Sequence, residues 1–300
     1  MARAQANGIE IEWEARGPAD APAILLIMGL GAQLTLWPDA LLDGLVAQGF
    51  RAIRYDNRDV GLSTKVESGG VPNLMQLGMA MMTGAKPEVP YTLGDMAADA
   101  VGLLDALGIA KAHIVGASMG GMIAQLVAVT YPDRVLSLTS IMSTTSNPAL
   151  PRASAEANAV LMSRPAGGDV EALVAFGVKA AQTVGSPVHR TDPAVLAERV
   201  RRDLTRSYYP QGFARQLGAI VADGDRRGRL ATVTAPTLVI HGDADPLVPI
   251  AGGRDTAASI PAARLVELAG MGHDLPEPLL PQVVALIAGH ALAAAGPAFA

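Results

Sequence analysis

The 300-residue chain contains no cysteine, which excludes disulfides, thiolate nucleophiles and cysteine–zinc sites. Neither basic nor acidic residues dominate. Lysine plus arginine number 23 against 28 aspartates and glutamates, a net charge of −5, and no basic block occurs anywhere. Nucleic-acid binding through phosphate neutralisation is therefore not expected. Long apolar runs are missing as well. The longest, Ala21 to Trp37, is broken by Pro22, Gly29, Gly31, Gln33 and Thr35, and reads as a strand and a turn, so no membrane partner is expected. Met1 to Gly17 alternates polar and apolar residues without the apolar core of a signal peptide. Neither a Gly-x-Gly-x-x-Gly pattern nor a P-loop is present, so no nucleotide and no other cofactor is expected. There is no internal repeat.

What the chain does have is apolar residues. Half of the positions are hydrophobic and 17% are charged, enough to build a large core and the reverse of a disordered composition. The length suits two average domains or one large α/β domain carrying an insertion. The composition suits the cytosol, and the expected location is cytoplasmic.

Gln5 to Glu14 alternates and contains Asn7-Gly8, which predicts a hairpin or edge strand. Short continuous apolar runs follow: Ala23–Met28, Arg51–Tyr55, Ala112–Val115, Val135–Ile141, Thr237–Ile240 and Arg264–Leu268. Such runs, bounded by turn residues, predict strands buried on both faces of a parallel sheet. Helical patterns lie between them. Leu93 to Leu107 carries Met96, Ala100, Leu103, Leu104 and Leu107 on one stripe, with Asp95, Asp99 and Asp105 off it, and Met119 to Thr130 is nearly all apolar. This alternation predicts a mostly parallel, doubly wound α/β sheet flanked by helices.

The alternation stops after Met142 and resumes near Thr237. Asp169 to Thr183 and Asp192 to Ser207 read as helices, the second opened by an Asp192 cap and Pro193. Arg199, Arg201, Arg202 and Arg206 mark its expected wet face. Residues 143–230 are thus expected to form an inserted helical cap on a core of residues 1–142 and 231–300. The tail from Ala291 is low-complexity and expected to fray.

Gly116-Ala-Ser118-Met-Gly120 follows one predicted strand and opens the apolar helix, the strand–turn–helix setting of a nucleophile elbow. A serine hydroxyl needs a base to take its proton, usually histidine. Of the five histidines, His113 lies within a strand, His189 in the cap and His290 near the end of the last helix, while His241 suits a turn contact. His273, in the glycine-rich loop Gly270-Met-Gly-His273-Asp-Leu-Pro, falls at the same sheet edge as Ser118 and is the expected base. A carboxylate must orient that base. Asp243 and Asp245 both follow the penultimate strand. Asp243 is placed to hold its own turn, whereas Asp245, further into the loop, is better placed to reach the histidine. Oxyanion donors are expected from the Met119 N–H and from the Met28-Gly29-Leu30-Gly31 turn, at Leu30.

On these residues the chain resembles the α/β-hydrolase fold family over nearly its whole length. The landmarks are Ile27–Gly31, Tyr55-Asp-Asn-Arg-Asp-Val-Gly-Leu-Ser63, Gly116–Gly120, His241–Asp245 and Gly270–His273. Met28 before the glycine, together with Arg58-Asp59, looks more like the aclacinomycin methylesterase branch. The resemblance implies ester hydrolysis with Ser118 as nucleophile, Asp245 as acid and His273 as base, Leu30 and Met119 donating to the oxyanion, and Asp56 and Arg58 serving loop structure. Between Lys65 and Tyr91 the chain departs from that branch: Asn73 to Met82 is an apolar, methionine-rich helical stretch, read both as a helix under the cap and as an adaptable pocket wall. If that pocket is apolar and uncharged, bulky hydrophobic esters or lactones are favoured.

The expectation is a cofactor-free serine carboxylesterase acting on a small-molecule ester, as a monomer or homodimer. The rivals are a C–C bond hydrolase using the same triad and a small-molecule receptor that has kept the fold.

Overall fold

Asn7 and Gly8 take positive φ of 47° and 78°, the pair required by a type I′ turn. They join β1 (Ala2–Ala6) to β2 (Ile9–Arg16) as the expected hairpin, with Ala6 opposite Ile9. The computed structural model describes residues 1–163 and 169–295. After the hairpin come β3 (Ala23–Ile27), α1 (Asp39–Ala47), β4 (Arg51–Tyr55), α2 (Leu74–Thr83), α3 (Leu93–Ala106), β5 (Ala112–Ala117), α4 (Met119–Thr130) and β6 (Val135–Ile141). Helices α5 (Ala155–Met162), α6 (Val170–Val184), α7 (Pro193–Arg206), α8 (Pro210–Asp223) and α9 (Arg227–Leu230) follow before β7 (Thr237–Gly242). The chain closes with α10 (Ala251–Ser259), β8 (Arg264–Leu268) and α11 (Leu280–Ala295).

The eight strands form one sheet in the order β1-β2-β4-β3-β5-β6-β7-β8. The pairs β1/β2 and β2/β4 are antiparallel, and every later pair is parallel. Alternate residues of β3 serve opposite faces: Leu25 and Ile27 join the core beneath α3 and α4, while Ile24 and Leu26 join the core beneath α1 and α11. Burial on both faces is why these strands read as unbroken apolar runs. The last strand departs from that reading. β8 is an edge with Arg264 and Glu267 exposed, and Glu267 pairs with Arg254 of α10.

Helix ends agree with local chemistry. Thr92 and Asp95 form a reciprocal capping box on α3, and Asp192 caps α7 ahead of Pro193. Asn73 caps α2, which packs on α8 through Leu77 against Phe213 and Leu217.

Asp99, off the apolar stripe of α3, is nevertheless buried, because Arg58 grips it with two hydrogen bonds of 2.6 Å and Asn7 adds a third. Two expectations fail for tertiary reasons. Arg206 does not belong to the wet side of α7: its guanidinium turns inward to Asp56 at 2.7 Å and Gln33 at 2.6 Å. The tail does not fray from Ala291. That residue is buried and α11 runs on to Ala295; residues 296–300 of the expected frayed tail lie outside the described residues. The stretch Glu277–Ala294 is apolar and long enough to cross a membrane, but Val283, Val284, Ile287 and Ala288 are buried in the core under α1 and β6.

Candidate active site

Ser118 stands between β5 and α4 at φ 56° and ψ −121°, in a region that a residue with a side chain rarely adopts. Its neighbours are what allow so sharp a turn. A Cβ at position 116 would lie 2.0 Å from the Gly120 carbonyl oxygen, and one at position 120 would lie 2.0 Å from that of Ile27. The strained residue is held by its own backbone: its N–H donates to Ile141 O at 2.9 Å, and the Ser143 hydroxyl donates to its carbonyl at 2.8 Å.

The loops after β7 and β8 bring Asp245 and His273 to this elbow. His273 Nε2 is 2.9 Å from Ser118 Oγ, and His273 Nδ1 is 2.7 Å from Asp245 Oδ2. A carboxylate only accepts, so Nδ1 is the protonated ring nitrogen and Nε2 is free to accept from the serine hydroxyl. Asp245 is itself pinned, with Oδ1 accepting from the N–H groups of Leu247 (2.9 Å) and Val248 (2.8 Å). Burial pushes the Asp245 carboxyl up. The positive charge of His273 once it is protonated, the nearby His241 ring and the hydrogen bonds from His273 and Val248 outweigh it and hold the group down at about 2. Asp243 goes elsewhere. Its Oδ1 accepts from Gly270 N at 2.7 Å, so it ties the β7 loop to the β8 loop instead of holding its own turn.

Two backbone N–H groups border the serine. Leu30 N and Met119 N have no protein hydrogen-bond partner among the described residues, and Met119 opens α4, whose N-terminal end favours negative charge. The turn carrying Leu30 packs directly on the elbow: a Cβ on Gly29 would stand 3.1 Å from Ser118 Cβ. Ser118, His273, Leu30 and Met119 all line one cavity of about 1720 Å³. This exceeds the ~300–1,000 Å³ usual for small-ligand pockets. Its walls include Met75, Met79 and Met82 of α2, Met122 of α4, Leu196 of α7 and Leu217 of α8. The cavity is not uncharged, since Lys86, Arg152, Arg190 and Arg199 also line it.

Three of the remaining histidines have structural roles. His113 is buried with Nδ1 2.8 Å from Ser137 Oγ, and burial pushes it down to about 4. His241 donates from Nε2 to Val248 O at 2.8 Å, the expected turn contact, and lies 3.6 Å from Asp245 Oδ2. His290 faces the carbonyls of Leu138 and Pro236. Asp56 accepts from Leu34 N, Leu62 N and Arg206, and so ties its own loop to the segment after β3 and to the end of α7.

Sequence reading missed the groups that hold the site from the helical side. Ser186, just past α6, donates from Oγ to Asp274 and accepts from Gly272 N at 2.8 Å, while Val184 O accepts from His273 N at 2.7 Å. Burial pushes the Asp274 carboxyl up against the hydrogen bonds from Ser186. Gln216 of α8 accepts from Gly31 N at 2.7 Å. No local motif marks either residue, because each partner is dozens of positions distant or more.

The family model described as alpha/beta hydrolase fold matches residues 22–277. The chain is 31% identical to rhodomycin D methylesterase DauP of Streptomyces sp. (strain C5), over 92% of this chain and 93% of that protein. It is 26% identical to 3-oxoadipate enol-lactonase 2 of Acinetobacter baylyi, over 83% and 81%. Among solved structures, the enol-lactonase from Burkholderia xenovorans LB400 superposes with a TM-score of 0.74 at 24% identity, over 96% of this chain and 99% of that one.

Proposed function

Since the chain belongs to the α/β-hydrolase fold family, we propose that it is a serine-dependent carboxylic ester hydrolase acting on esters or lactones whose hydrophobic part lies against the methionine-rich walls of the cavity, away from its charged lining residues Lys86, Arg152, Arg190 and Arg199. The observation that carries this reading is the unbroken hydrogen-bonded line Asp245–His273–Ser118 opening into a large cavity with methionine-rich walls. The similarity to a methylesterase and an enol-lactonase supports the same class.

In this reading Ser118 Oγ attacks the ester carbonyl carbon while its proton passes to His273 Nε2. Asp245 keeps the imidazole in the correct tautomer and stabilises the cation that forms. The carbonyl oxygen, now negative, is met by the N–H groups of Leu30 and Met119. The alcohol departs with the proton from His273, leaving Ser118 acylated. Water then gives its proton to the same nitrogen, attacks the acyl carbon, and releases the acid and the serine. Residues 143–230 serve as the cap over this chemistry, with α6, α7 and α8 contributing to the cavity lining.

The test is hydrolysis of p-nitrophenyl esters of increasing acyl length by wild type and Ser118→Ala at neutral pH. A fall of roughly 10⁴ or more in the variant is expected. Equal rates from the two proteins would overturn the reading.

A further inference from the structure

We infer that Gln216 is a positioning residue for the oxyanion site, locking the turn that carries the Leu30 N–H; the inference rests on the esterase reading above. The turn runs from Gly29 to Ala32, closed by Ala32 N donating to Gly29 O at 3.3 Å. Its third residue, Gly31, has φ +68°, the mark of a type II turn. Types I and II differ by a flip of the central peptide, here the Leu30 carbonyl and the Gly31 N–H. With glycine in third place that flip meets little steric resistance.

Gln216 removes the ambiguity. Its Oε1 accepts from Gly31 N at 2.7 Å, and a flipped peptide would turn the Leu30 carbonyl oxygen toward that same atom. The side chain cannot swing away to relieve the clash. Gln216 is fully buried, and its Nε2 donates to Arg58 O at 2.8 Å. Arg58 in turn is anchored on Asp99. The helix is seated just as firmly: a Cβ on Gly212 would lie 2.0 Å from Asp59 O, so α8 meets the Asp56–Gly61 loop backbone to backbone. Acceptor, turn and elbow therefore form one rigid stack. The bond also consumes the Gly31 N–H, while the Leu30 N–H keeps no protein partner among the described residues.

Gln216→Met removes both polar atoms at similar length, whereas Gln216→Glu keeps an acceptor for Gly31. The readouts are kcat and KM on a p-nitrophenyl ester, Tm, and inhibition by a trifluoromethyl ketone, whose serine adduct carries the oxyanion. The Met variant is expected to lose roughly 10- to 100-fold in kcat and to bind the ketone more weakly by a similar factor, with KM within about twofold; the Glu variant recovers most of both. Should the Met variant not fold, Gln216→Asn, an amide too short to reach Gly31, is expected to show the same losses. Unchanged kcat and ketone affinity in the Met or Asn variant, or a lower Tm alone, would overturn the role of Gln216. Full turnover by Ser118→Ala would instead overturn the esterase reading on which it rests.

Discussion

Asp245 and Asp243 sit two residues apart in one loop, and exchanging each for asparagine separates orientation of the base from loop structure. In Asp245→Asn the side-chain oxygen retains the Leu247 and Val248 N–H groups, 2.9 and 2.8 Å away, so the new NH₂ takes the place of Oδ2 beside His273. That NH₂ donates to Nδ1 and drives the imidazole proton onto Nε2. An Nε2–H donates to Ser118 Oγ and cannot take its proton. The geometry is preserved and the tautomer is wrong, a combination that costs a triad about 10⁴ in kcat, or about 5.4 kcal/mol of barrier. Asp243→Asn keeps an oxygen for Gly270 N, 2.7 Å away, so its activity is expected to stay within about tenfold of wild type. Both variants are assayed under saturating p-nitrophenyl ester, with rates normalised to the active fraction by burst titration. The reasoning is refuted if Asp245→Asn keeps more than about a tenth of wild-type kcat, or if the two variants lose activity equally. On the proposed mechanism the acid limb of the pH profile is expected to follow His273, because Asp245 stays ionised down to about 2. Its stabilising contribution is complete above the ordinary aspartate range near ~3.9 and is lost as pH falls through about 2.

Two further outcomes are expected. Burial lowers His113 from 6.5 to about 4, so between those values the unfolded chain binds more protons and the protein loses stability as pH falls; at 1.36 kcal/mol per pH unit the loss reaches about 3 kcal/mol. His113→Asn should flatten urea midpoints measured from pH 7 down to pH 5, and an unchanged pH dependence would show that another group is responsible. Met75 and Met79 are exposed yet line the cavity, so replacing both with glutamine should leave Tm nearly unaltered and lower kcat/KM for long acyl chains more than for acetate. A uniform loss across the chain-length series would remove α2 from the acyl or alcohol wall.

Much of this architecture was legible along the chain because it is dictated locally. Asn7-Gly8 accepts the positive φ pair that a two-residue hairpin demands, and Asp192-Pro193 satisfies the first turn of α7 by itself. The β3 run is apolar at every position because each face of the sheet has its own layer of helices. Where the reading failed, a distant partner had changed the meaning of a charge. Arg206 looked solvated until Asp56, 150 positions away, drew it inward. The charges lining the pocket were likewise not legible, because Lys86, Arg152, Arg190, Arg199, Asp203, Asp225 and Asp274 are scattered along the chain.

The strand–turn–helix elbow at Ser118, the order serine, aspartate, histidine along the chain, and the sheet that collects them at one edge are all set locally. Steric rules and hydrophobic periodicity act over a few residues, so those features are written where they occur. Folding in three dimensions brings Asp245 to His273 and Asp243 to Gly270, and lets Ser186 and Gln216 brace the histidine loop and the turn bearing Leu30. A hydrogen bond is chosen by distances of a few tenths of an ångström between groups that lie as many as 185 positions apart, and no local pattern encodes that meeting.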